Sequence, residues 1–166
     1  MSRTKDRALK TAKEARDGKP FLPFRLDVLQ SPALAALSPI ASKLLLDIAS
    51  QWKLGHNGDA STAFEKVLRS RGWVSKATLY KALKELRSSG LIIQTRQGSL
   101  HQCSLYALGW LAIDECGGKL DVNSTTRPLN PWLTISPEAK NVVRSTQGVL
   151  MQRKNIALGT RSVPSG

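Results

Sequence analysis

From Ile40 to Ala49 the apolar residues Ile40, Ala41, Leu44, Leu45, Ile48 and Ala49 recur at three- and four-residue spacing. That spacing is one face of a helix. Ser38-Pro39 supplies an N-cap followed by proline at the first position, so a helix is predicted from there through Gln51-Trp52. Ser31-Pro32 carries the same signal for a short turn reaching Leu37. Gly55-His56-Asn57-Gly58-Asp59 breaks the pattern with two glycines. A second helix is predicted from Ser61-Thr62 to about Arg71, on the stripe Phe64, Val67 and Leu68. After the tight connection Gly72-Trp73-Val74, Ser75 caps a third helix. Its Leu79, Ala82, Leu83 and Leu86 face inward, while Ala77, Thr78, Lys81, Lys84, Glu85 and Ser88 face outward. Gly90 stands where a left-handed glycine closes a helix.

Period two then replaces period three and a half. Residues 91–96 read as a strand, Gln97-Gly98-Ser99 as a turn, and 101–108 as a returning strand. On the latter, inward Cys103, Leu105 and Ala107 alternate with outward Gln102, Ser104 and Tyr106. Upstream, residues 3–17 are good helix formers without an apolar stripe, a marginal solvated helix or a disordered arm. Gly18 and Pro20 stop it, and Phe21-Leu22-Pro23-Phe24 is predicted to dock on the core. Beyond Gly117-Gly118 the chain is rich in Ser, Thr, Asn, Pro and Gly, with only Trp132 and a weak stretch at 138–151 able to pack. The predicted organisation is a basic arm over 1–20, a folded domain over 21–116 and a largely disordered basic tail over 117–166.

Charge sharpens this picture. The formal net charge of +13 attracts polyanions, and it is unevenly placed. Residues 61–100 hold eight Lys and Arg against Glu65 and Glu85, whereas residues 31–60 balance at zero and 101–120 carry one net negative charge. Cys103 and Cys116 imply no disulfide framework. The N-terminus has no secretory signal and no apolar run spans a bilayer, so a cytoplasmic protein without a membrane partner is expected. Enzymatic chemistry is not expected either. His56 and His101 are the only histidines, neither cysteine forms a close pair, and no zinc spacing, phosphate-cradling glycine loop or paired-carboxylate set is visible. His101 and Cys103 share a strand face, which simple alternation explains. No cofactor, metal or small-molecule ligand is expected.

Two helices joined by a tight glycine-containing turn and followed by a hairpin make a winged helix-turn-helix. The expected fold class is therefore mainly α with a small β-hairpin (α+β), flanked by flexible basic tails. In such a fold the second helix enters the major groove and the hairpin is the wing. Here Lys76, Lys81, Lys84 and Arg87 would contact phosphates, with Lys81 able to reach guanine. Ala77, Thr78 and Tyr80 would lie near base edges or thymine methyls. Ser75 and Thr62, each at a helix N-terminus, would bind phosphate. Arg96, Gln97, Ser99 and His101 would form the wing contact, Arg96 in the minor groove or on phosphate.

Val74-Ser75-Lys76-Ala77-Thr78-Leu79-Tyr80 with Leu83, Leu86 and Gly90-Leu91-Ile92 resembles the recognition helix and first wing strand of winged-helix transcriptional regulators. Leu37-Ser38 through Leu46, Asn57-Gly58-Asp59 and Tyr106-Ala107-Leu108-Gly109-Trp110 resemble small helix-turn-helix proteins of plasmids, prophages and integrative elements. The resemblance covers roughly residues 21–113. One departure is Trp73, an extra residue between the glycine and the Val-Ser pair. The resemblance implies a sequence-specific binder of double-stranded DNA, most often a homodimer on a palindrome, acting as a repressor. A replication or partition accessory fits the same residues. A module whose basic face meets an acidic protein, or a non-specific nucleic-acid binder using its tails, also fits the charge. Residues 21–37, or those after Trp110, would either pair subunits or cover the domain's own core.

Overall fold

The computed structural model describes residues 3–15 and 17–134. Helices α1 (Arg3–Glu14), α2 (Leu26–Leu29), α3 (Pro32–Ala35), α4 (Pro39–Ala49) and α5 (Lys76–Ser88) combine with strands β1 (Ala60–Ser61), β2 (Ile92–Arg96) and β3 (Leu105–Leu108). The strands form one antiparallel sheet in the order β1-β3-β2. Among the described residues no helix is long and apolar enough to cross a membrane. The weak stretch at 138–151 lies outside the described residues.

The caps act where the sequence places them. Ser31, Ser38 and Ser75 each accept a bond from the third amide of the helix that follows, and Pro32 and Pro39 occupy first positions. Ala41, Leu44, Leu45, Ile48 and Ala49 of α4 meet Leu79, Ala82 and Leu86 of α5 in one core with Trp73, Leu91, Leu108 and Trp110. Ile40, read from the spacing as part of the stripe, is instead exposed. Phe24 stacks on Trp110 with ring centroids 4.6 Å apart, and the Trp110 indole donates to the Pro23 carbonyl. Phe21-to-Phe24 thus docks as expected, apart from exposed Phe21.

Four readings are corrected. The predicted helix from Ser61-Thr62 begins later: Ser61 pairs with Leu105 as β1, and the helical segment is a wide π turn, Phe64–Leu68, running into a 3₁₀ turn, Arg69–Arg71. A strand of two residues carries no periodicity to detect. The carboxamide of Gln51 holds its free edge, donating to the Ser61 carbonyl at 3.0 Å and accepting from the Ser61 amide at 2.9 Å. Strand β3 is the central strand, and all four of its residues are buried, Tyr106 included. Both faces of the strand are therefore covered, and alternation fails there for that reason. Third, the returning strand read over 101–108 begins only at Leu105, and β2 carries a bulge, so that Gln94 faces Tyr106 and Arg96 faces Leu105, with Thr95 extra and fully buried.

Residues 117–134 are the fourth correction, since they pack on the domain and are not a disordered tail. The Asp121 amide donates to the Thr95 carbonyl, the Thr125 amide to Ile113, the Asn130 amide to Gly109, and the Trp132 side chain is buried. Polar composition concealed this because the attachment uses backbone groups. Residues 3–14 take the helical alternative, with residues 6–15 exposed throughout.

Candidate nucleic-acid interface

Helix α5 is held against α4 by its one acid. Glu85 accepts from the Ser38 amide at 2.7 Å and from the Ser38 hydroxyl at 2.8 Å, satisfying amide and cap together at the start of α4. The sequence places Glu85 on the outward face, and the structure turns it inward. The outer surface of α5 is thereby cleared of negative charge. Ala77, Lys81, Lys84, Arg87 and Ser88 are exposed on it, and Lys81, Lys84 and Arg87 make no ion pair among the described residues. Lys76 differs: its ammonium lies 3.4 Å from Glu65 and over the Phe64 ring.

The start of α5 is formed by Gly72, whose φ of +83° ends the preceding turn, and by buried Trp73. The Trp73 indole donates to the Asp47 carboxylate at 2.7 Å. This anchor explains the extra residue in the turn: Trp73 is a core side chain that locks the turn to α4. Ser75 caps with its oxygen taken by the Thr78 amide, which leaves the amides of Lys76 and Ala77 without an intrahelical acceptor. Beside them Val74 and Tyr80 are strongly exposed apolar side chains, at 94% and 73%.

Between α5 and the hairpin runs a cleft of about 580 Å³. Lys76, Tyr80, Lys84 and Arg87 form its helix wall, with Thr62 at one end and Gln94, Gln97, Ser104 and Tyr106 on the hairpin side. Burial raises the Tyr106 phenol, against the hydroxyls of Ser104 and Thr62 and the charge of Arg87, so it stays protonated at neutral pH and can donate. The Gln94 carboxamide donates to that of Gln97 at 2.6 Å.

Six of the thirteen residues predicted for the site therefore line one cleft: Thr62, Lys76, Tyr80, Lys84, Arg87 and Gln97. Ala77, Thr78 and Lys81 continue the surface of α5, with Thr78 half-buried. Ser99 and His101 border a shallower hollow of about 430 Å³ against Phe64, Glu65 and Lys76. Two assignments are corrected. Thr62 does not start a helix, since it follows β1 and precedes the uncapped turn at Ala63. Arg96 is not at the tip: its guanidinium folds back to donate to the carbonyls of Cys103 (3.0 Å) and Lys119 (3.4 Å), and its Nε is buried without an acceptor. The bulge at Thr95 aims it there. Gln94, Ser104 and Tyr106 were missed. For Gln94 the signal was present as the first polar residue after the apolar run Leu91-Ile92-Ile93, whereas Tyr106 required knowing that both faces of β3 are covered.

Away from this cleft, His56, Asp59 and Cys116 bring a ring nitrogen, a carboxylate and a thiol within 4.8 Å of one another. They are the only such group of potential metal ligands among the described residues. No family model, curated protein or solved structure matches the chain.

Proposed function

We propose that the protein binds double-stranded DNA as a winged helix-turn-helix, with α5 in the major groove and the hairpin as wing. The observation that carries this is the state of the outer face of α5. Its single acid is drawn inward to Ser38, and Lys81, Lys84 and Arg87 make no ion pair among the described residues, Lys84 and Arg87 lining the cleft. A short helical turn, a tight connection, helix α5 and a hairpin follow one another, an order compatible with such a fold. The exposed methyls of Val74 and Ala77 and the ring of Tyr80 suit thymine methyls, and Lys81 suits guanine. On this reading the protein is a transcriptional regulator, a repressor that binds a palindromic site as a homodimer.

A salt series tests it on a labelled duplex. Each phosphate contact removed lowers the slope of log K against log salt by about 1. Lys84→Ala and Arg87→Ala are each expected to lower it by that amount, with folding unaffected at these exposed positions. Unchanged slopes in both variants would contradict the placement of α5.

A further inference from the structure

We infer that His56, Asp59 and Cys116 form a zinc-class metal site with a fourth position open to water. His56 and Asp59 share one loop, and the fold brings Cys116 from a distant segment so that the three ligand atoms lie within 4.8 Å of one another. Zinc bonds to nitrogen, oxygen and sulfur are about 2.0–2.3 Å long, so the atoms must close by about an ångström. Half-exposed His56 can do this by side-chain rotation. An imidazole, a carboxylate and a thiolate together favour zinc over magnesium or calcium, which take oxygen ligands.

The backbone is shaped to present the thiol. Cys116 has φ of +53°, followed by Gly117 at +65° and Gly118 at +69°, a run of left-handed conformations that only glycine adopts freely. On the facing loop, a Cβ on Gly58 would sit 2.7 Å from the Leu120 side chain and 3.2 Å from the Cys116 sulfur. The buried sulfur makes no hydrogen bond among the described residues. A cation already sits at the mouth: the Lys119 ammonium is 3.0 Å from the Asp59 carboxylate, with His56 Nδ1 3.7 Å from the same oxygen. In the absence of a metal, burial and the carboxylates of Asp59, Asp114 and Glu115 hold the thiol protonated, with its pKa raised to about 11. A dication reverses that balance and displaces the exposed lysine.

Such a site would brace the bulge near the loop end of β2. Gly58, between two of the ligands, accepts from the Thr95 hydroxyl, and the segment beyond Cys116 bonds to the Thr95 carbonyl through Asp121.

The test is cobalt(II) titration of the full-length chain, followed by displacement with zinc. One cobalt per chain is expected, with the near-ultraviolet charge-transfer band of a thiolate–cobalt bond. Cys116→Ser should abolish the band and Cys103→Ser should keep it. Exposed His56→Ala, which leaves the core untouched, should lose the zinc-dependent rise in melting temperature. Lys119→Gln should bind at least as tightly as the parent. No cobalt binding by the parent chain would overturn the site. A band that survives Cys116→Ser, or a zinc response that survives His56→Ala, would also overturn it.

Discussion

Asp47 is the residue on which the start of the candidate recognition helix depends. It is buried on the inner side of α4 and receives the Trp73 indole and the Lys43 ammonium at 2.7 Å each, with Arg71 at 3.5 Å. Burial alone raises its pKa, but the bonds from Lys43 and Trp73 and the charges of Lys43 and Arg71 outweigh this and leave it below the ordinary aspartate value. Asp47→Ala leaves the buried indole N–H without an acceptor, and a loss of about 2–3 kcal/mol is expected in urea denaturation. The pH dependence follows from the direction of the shift. A depressed carboxylate contributes fully above the unfolded value of about 3.9, and the contribution is lost as pH falls through the lower folded value. Asp47→Asn should therefore flatten the acid limb of stability below about pH 4, and an unchanged limb would remove Asp47 from the account. Before the fold is known, Asp47 is merely a polar residue within an apolar helix. Nothing local links it to Trp73, 26 positions away.

At the scale of elements, legibility follows how local the determining interactions are. Helices α4 and α5 were readable because each has its own cap and apolar stripe, α4 with a first-position proline as well, and Gly90 duly has φ of +71°. Strand β1 depends on distant β3, and the bulge at Thr95 and the attachment of 117–134 rest on backbone bonds, so none of them left a periodic trace. The same non-local logic governs Gly109. An added Cβ there would lie 2.6 Å from the Gly90 carbonyl oxygen, a backbone atom that cannot swing away. Gly109→Ala is expected to destabilise by about 1–3 kcal/mol by prising β3 from the turn between α5 and β2. Thermal denaturation would measure it, and a variant as stable as the parent would show that this turn yields freely. The candidate site was half legible for a related reason. Its helix side reads from one amphipathic element, but Arg96 is aimed by a bulge and Glu85 by a capping contact 47 residues away.

For the whole molecule, charge and shape agree. Residues 61–100, the segment that builds the turn, α5 and β2, carry the largest share of the basic excess, the rest lying toward the two ends of the chain. The acids within that segment are engaged, Glu85 with Ser38 and Glu65 with Arg69 and Lys76. Generic attraction to a polyanion requires only the total charge, whereas reading sequence requires the unpaired side chains on α5 to meet base edges. Selection from a pool of random duplex DNA at about 150 mM salt, a level that suppresses most non-specific contacts, separates the two. The full-length chain should enrich one motif with two-fold symmetry, and a Lys81→Ala, Lys84→Ala protein should fail to do so. Binding without enrichment, or enrichment that survives the double substitution, would contradict recognition through α5.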